Sequence, residues 1–398
     1  VSWPTKSLAD IAILNPRIPK DRELPDTVVF LPMAAISEHG EILAQELRPL
    51  AEVRKGFTYF ARGDVLLAKI TPCFENGKAA FLENLQGDVG FGSTEFHVIR
   101  PNAEVLDGKY LFYMLWNDKL RHDGELNMTG SAGQRRVPTG FLERYRIPLP
   151  PLAVQRHIAK ALEQVDRLRR QAQQMETELD RLAQGLFLEM FPEATRVAGQ
   201  FTEPLGTHIA FLTSGSRGWA EFYADRGAIF IRSLDVRMNE LNTNEVAYVS
   251  PPCSAESKRT KVEAGDVLLT ITGSCIGRVC EVPSGLGEAY ISQHVSLMRL
   301  ESSLNPTFLS FFLSLPSGGQ LQISKLQYGQ TKPGLNLEQI RSLQIPAVTI
   351  DRQIQFVVAL QKIEAQRQMA RRQQAELEQA FQSLIQRAFK GELTPKVA

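Results

Sequence analysis

The chain has little cysteine: four in 398 residues, at positions 73, 253, 275 and 280. Four scattered thiols cannot build a disulfide framework. Cys275 and Cys280 stand close together, but no His or third Cys nearby completes a zinc site. The four are therefore predicted to be buried thiols. The six histidines (39, 97, 122, 157, 208, 294) are dispersed, so no metal is expected. No apolar run approaches the roughly 20 residues that span a bilayer, so no membrane association is expected. The opening "VSWPTKSLAD" lacks the basic-then-apolar pattern of a signal peptide, and a cytoplasmic protein is expected.

Charge of one sign is missing too. Lys and Arg number 45 against 44 Asp and Glu, a net charge of +1. Residues 1–151 carry 18 basic and 19 acidic side chains, and residues 201–349 carry 12 and 13. A nucleic-acid binder usually shows a basic excess. Any DNA-binding surface here must come from local arrangement or be shared with a partner. No Gly-x-x-x-x-Gly-Lys-Ser/Thr loop exists, which excludes phosphate-loop ATP chemistry. "NPRIP" (Asn15–Pro19) lacks the second Pro and the aromatic of an amino-methyltransferase motif, and no Gly-rich loop precedes it. Pro25 and Asp26 with Asp107, Gly108 and Lys109 are fragments too short to define a nuclease metal site. No catalytic residue, cofactor or metal ligand is predicted.

What the chain does have is a repeat. "GDVLLAKITPC" from Gly63 and "GDVLLTITGSC" from Gly265 lie 202 apart. One such match proves little, but others share the offset. Phe30 and Phe230 open matching phrases 200 apart. "FHVIRP" from Phe96 and "HVSLMRL" from His294 lie 198 apart, as do "IPLPPLAVQRHIAKAL" from Ile147 and "IPAVTIDRQIQFVVAL" from Ile345. "QGLFLEMF" from Gln184 and "QSLIQRAF" from Gln382 keep the same offset of 198. A near-constant spacing means a tandem duplication of a unit near 200 residues.

Each copy has two parts. The first mixes short β-branched and aromatic runs ("VVFLP", "DVLLAKI", "KAAFL", "EFHVIRP") with turn residues. Helices are predicted over Gly108–Arg121 and Asn305–Leu315. The second part, from Leu152 to Phe191, has no Pro and one Gly. Its apolar residues recur in threes and fours: Ile158, Leu162, Val165, Leu168, Ala172, Met175, Leu179, Leu182, Leu186 and Met190. The shifted set includes Phe356, Leu360, Ile363, Leu377 and Leu384, and eight of its ten positions stay apolar. A continuous helix of that length would be about 60 Å long. It needs a partner for its seam, and the simplest is the other copy, in an intramolecular antiparallel coiled coil. The predicted fold is α+β: a globular domain at 1–151, a helix at 152–191, a second globular domain at 192–349 that includes a linker at 192–200, and a helix with a tail at 350–398.

This order, with "GSAGQRRVPTGFLERYRIPLPPLAVQRHIAKALEQVD" (Gly130–Asp166), resembles the DNA-specificity subunits of type I restriction-modification systems. "YGQTKPGLNLEQIRSLQIPAVTIDRQIQFVVAL" (Tyr328–Leu360) resembles the same element again, although "AVTIDRQ" (Ala347–Gln353) lacks the Pro and Leu of "PLAVQR". "LGTHIAFLTSGSRGWAEFYADRGAIFIRSLDVRMNEL" (Leu205–Leu241) is similar to the start of a target domain. The resemblance implies a non-catalytic subunit whose two domains each read half of a bipartite double-stranded DNA site. It implies helices that set the spacing and dock two adenine methyltransferase subunits, with motor-nuclease subunits joining the full complex. The rivals are a DNA reader of another methylation or phage-defence system, a stand-alone nuclease or methyltransferase, and a scaffold without DNA.

Base readout uses Arg, Lys, Asn, Gln, Ser or Thr on loops that enter a groove. The candidates in the first domain are Lys69, Thr71, Asn76 and Lys78, then Gln134, Arg135 and Arg136. In the second they are Ser214, Ser216, Arg217 and Trp219, then Ser274 and Arg278, then Gln330 and Lys332. Gly63-Asp64 and Gly265-Asp266 are read as turns that open buried strands.

Overall fold

The computed structural model describes residues 3–131, 133–192, 202–215, 217–327 and 334–393. The fold is α+β. The chain divides into two compact units, Val1–Gln173 with Arg371–Ala398, and Gln174–Ala370. Each unit therefore holds one globular part and a segment of both long helices. No described helix is long and apolar enough to cross a membrane.

In unit 1, Ala12–Leu14, Phe96–Pro101, Val65–Ala68 and Ala79–Phe81 form an antiparallel sheet in that order. Behind it lies a second sheet of Glu46–Pro49, Thr27–Leu31, Val89–Gly92 and Thr58–Ala61, whose middle pair is parallel. Unit 2 repeats the first sheet with Ile209–Ser214, Val295–Leu300, Val267–Thr270 and Val279–Glu281. It repeats three strands of the second as Ala247–Val249, Ala228–Ile231 and Ala289–Ile291; Tyr223–Ala224 is added beside Ala247–Val249, and only a bridge of Lys261 to Tyr290 stands where Thr58–Ala61 pairs in unit 1.

The apolar run "DVLL" now has a cause. Val65 and Leu67 face a core shared with the helices, while Leu66 faces a core between the two sheets. Val267 and Leu269 divide from Leu268 in the same way. A strand covered on both faces needs apolar residues at every position, not at alternate ones. The preceding glycines adopt φ of +86° at Gly63 and +85° at Gly265, a left-handed conformation that costs glycine nothing. Each following Asp is buried. Asp64 accepts the N–H of Ala61 at 2.7 Å and takes a two-point contact from Arg100, both arms at 2.7 Å. Asp266 accepts the N–H of Glu263 at 2.7 Å and takes both arms of Arg299 at 2.9 Å. So Arg299 matches Arg100, an offset of 299 − 100 = 199. The offset of 198 read for this strand pair is one residue short, because a one-residue slip would turn every side chain to the opposite face.

The helix expected over Gly108–Arg121 is two: Gly108–Leu115 and Asp118–Leu126. Asn117 ends the first and caps the second, its side chain accepting the N–H of Leu120 at 3.0 Å. The other predicted helix spans Pro306–Ser314. The thiols are not uniformly buried: Cys280 is, Cys73 and Cys275 are half-buried, and Cys253 is exposed.

The long helices span Leu152–Met190 and Ile350–Lys390. In unit 1, Ile158, Leu162 and Val165 share one core with Phe381, Leu384 and Ile385, and Arg169 ion-pairs with Glu378. Leu377 is half-buried. In unit 2 the segments run antiparallel: Arg367 ion-pairs with Asp180, and the Phe187 ring lies 5.0 Å from that of Phe356. The two ion pairs are repeat equivalents, since 169 + 198 = 367 and 180 + 198 = 378. Leu179, Leu186, Leu360 and Ile363 join the unit 2 core. Met175 and Leu182 do not; both are more than half exposed. After Ala172 the covered positions include Glu176, Leu179, Ala183, Leu186, Phe187 and Met190. The series 172, 176, 179, 183, 186 and 190 steps by four and three in turn, the 3.5-residue period of a heptad, and this phase leaves 175 and 182 outside the seam.

Candidate nucleic-acid interface

Antiparallel pairing brings loops that are distant in sequence to one end of a sheet. In unit 1 the strands ending at Leu14 and Ala68 and those starting at Ala79 and Phe96 meet at the same end. Residues 69–78 and 93–95 project there. Residues 134–137 join them: Thr71 N–H donates to the Arg135 carbonyl at 3.0 Å, and Val137 N–H to the Lys69 carbonyl at 2.8 Å. All seven residues predicted for the first domain are thus gathered at one sheet end.

Acids partner most of them. Arg136 forks onto Glu95 at 2.8 and 2.9 Å, and this holds the Glu95 carboxyl below its ordinary value. Arg135 lies 3.9 Å from both Glu75 and Glu125. The Thr71 hydroxyl donates to Glu75 at 2.7 Å, and the Asn76 amide to Glu38 at 2.8 Å. Lys78 reaches the Met33 carbonyl at 3.5 Å. Lys69 is half-buried and Gln134 exposed. A search for groups that attract phosphate passes over Glu95. Its signal is its place, directly before the buried strand that starts at Phe96.

Unit 2 repeats the geometry. The ends at Ser214 and Thr270 and the starts at Val279 and Val295 coincide. Gly215 N–H donates to the Val295 carbonyl at 3.0 Å, and this lays the loop after Ser214 over residues 292–294. The Ser214 carbonyl accepts from Arg259 at 2.6 Å. Ser274 and Arg217 are exposed, and Arg278 is half-buried. Trp219 is not at the surface. It is 3% exposed and stacks on Phe230 at 5.5 Å, so it serves as a core residue. Ser216, Gln330 and Lys332 lie outside the described residues. The sequence reading missed three polar neighbours at this end. Thr272 Oγ1 is 2.6 Å from His294 Nδ1, and Gln293 Nε2 is 3.2 Å from His294 Nε2.

Each globular part is mounted on its helix by a buried glutamine. Gln155 accepts the Asp107 N–H at 2.8 Å and donates to the carbonyls of Val105 at 2.8 Å and Pro150 at 2.7 Å. Gln353 accepts the Asn305 N–H at 2.7 Å and donates to the carbonyls of Ser303 at 3.2 Å and Val348 at 3.0 Å. Every atom pair is repeated at an offset of 198. Asp107 and Asn305 in turn cap the helices that follow them.

A cavity of about 440 Å³ in unit 1 lies among Glu41, Lys109, Tyr113, Asp166 and Arg170. It is braced by internal ion pairs such as Arg170–Glu41 at 2.6 Å. Among the described residues no group of three or more His, Cys, Asp or Glu could hold a metal ion.

These features can be set beside known proteins. A chain from a structural study of complex assembly and conformational transition of the type I R-M system superposes with a TM-score of 0.58, at 21% identity, covering 98% of both chains. The type I restriction-modification S subunit of M. genitalium gives 0.56 at 13% identity, over 100% of this chain and 97% of that one. The fold is thus shared with these chains: two globular parts, each followed by a long helix. Residues 1–180 match the family model for the type I restriction modification DNA specificity domain. The chain is 44% identical to the type I restriction enzyme EcoEI specificity subunit of Escherichia coli over 157 residues, 39% of this chain and 26% of that protein. It thus spans about a quarter of that relative's length. Residues 1–180 are thus similar to the DNA specificity domain of type I restriction-modification systems.

Proposed function

We propose that this chain selects DNA sites for a methylating and restricting complex. Each globular part, 1–151 and 192–349, reads one half of a bipartite, asymmetric double-stranded site. The helices at 152–191 and 350–398 set the gap and dock two methyltransferase subunits. Motor-nuclease subunits join the full complex, and the chemistry is theirs: a methyltransferase must flip its target base out of the stack, and this chain supplies no group for that step.

One observation carries the reading: a single chain holds the same loop set at the same sheet end twice, with different side chains in each copy. Equivalent frames suit the local two-fold symmetry of duplex DNA. Unlike side chains suit two unlike half-sites. Near-neutral charge fits a reader whose partners supply much of the sequence-independent phosphate attraction.

The test is exchange of residues 201–349 for the same part of another family member, with methylome sequencing of cells carrying the complex. One half of the methylated motif is expected to change and the other to stay. A change in both halves would overturn the modular reading.

A further inference from the structure

We propose that Gln293, held by His294 and Thr272, reads the major-groove edge of an adenine in one half-site; this rests on the DNA-reading function above. The residues lie at the sheet end that gathers the candidate loops of unit 2. Gln293 is exposed, while His294 and Thr272 are half-buried.

The hydrogen bonds select one arrangement. The amide nitrogen of Gln293 is only a donor, so His294 Nε2 must accept from it. His294 Nδ1 then carries the proton and donates to Thr272 Oγ1. The imidazole thereby aims the amide. Gln293 keeps Oε1 as an acceptor and its second N–H as a donor, side by side. Adenine shows the complement in the major groove, the N6 donor beside the N7 acceptor, and glutamine is one of the two side chains that pair with it at two points.

The first unit has no such edge. Strand register places Leu67 opposite His97 and Leu269 opposite Ser296. Glu95 therefore stands where His294 stands, and Thr94 where Gln293 stands. Arg136 and Gly334 occupy matching bridges, with Ile70 and Thr272. In unit 1 the Arg136–Glu95 fork closes on itself. In unit 2 glycine removes the guanidinium, and no ion pair among the described residues engages Thr272, Gln293 or His294. This is the kind of difference that would make two half-sites unlike.

The test uses the full chain assembled with its host's own methyltransferase subunit. The complex selects duplexes from a randomised pool, and the bound fraction is sequenced. The unaltered chain is expected to return a two-part motif. Gln293→Ala is expected to relax one A·T position in one half by about 5- to 150-fold, with the other half intact. Gln293→Glu is expected to shift that same position toward cytosine, whose amino group donates to a carboxylate. His294→Ala is expected to weaken discrimination at that position alone, as a positioning residue should. The intact other half reports in the same data that each variant folds. An unchanged motif in both Gln293 variants overturns the inference, as does a change in both halves. Absence of any two-part motif from the unaltered chain would instead overturn the DNA-reading function itself.

Discussion

Asp64 and Asp266 show what a single side chain does here. Each takes a guanidinium on one side and a turn N–H on the other. Asp64→Ala would leave Arg100 without its counter-charge in a low-dielectric site and is expected to cost about 3 kcal/mol. Chemical unfolding checks the size, and hydrogen exchange should show the loss confined to unit 1. The "GDV" phrase was legible as a turn, but its arginine partners were not, because they sit more than 30 residues away across a strand pair. Glu95 behaves differently, being bonded to Arg136 at the surface. Its carboxyl titrates below the ordinary value of 4.5. The pair therefore contributes fully above that value, and the contribution is lost as pH falls through the lowered one. Glu95→Gln removes this acid dependence and frees Arg136. DNA affinity measured across a salt series is expected to rise, with a log–log slope steeper by about one.

At the level of elements, the helices were the easiest part to read and the seam the hardest to complete. Ten apolar residues at threes and fours announce a long buried stripe. They do not reveal that the stripe runs through 169, 176 and 183 and not 168, 175 and 182, because Arg, Glu and Ala carry little apolar signal. Phe187 contacts Phe191, Phe308, Phe311 and Phe356 within 5.4 Å. Phe187→Ala is expected to cost about 3–5 kcal/mol in unfolding experiments. Met175→Lys and Leu182→Lys, outside the stripe, are expected to stay within about 0.5 kcal/mol of the parent. If 175 and 182 lay in the seam instead, both lysines would destabilise strongly. Strand order was not legible at all, since short β-like runs do not state which of them pair.

For the molecule as a whole, the duplication was the most readable feature. Its offset of about 198 matched the strands and helices of one copy to those of the other before any pairing was known. The seven candidates of the first domain gather at one sheet end, while Trp219 lies in the core: an aromatic beside glycines can cover a core as well as enter a groove. The spacing role proposed for the helices belongs to this scale. Inserting whole helical turns into both 152–191 and 350–389 is expected to widen the gap in the methylated motif. An unchanged gap would remove the helices from that role.

The two buried glutamines have a consequence for how such a protein can diversify. All three partners of Gln155, and all three of Gln353, are main-chain atoms. Main-chain amides and carbonyls are present whatever side chains surround them. A foreign domain with the same backbone path could therefore plug into the existing socket with no matching mutation in the helix, and new specificities could be gained by recombination in one step.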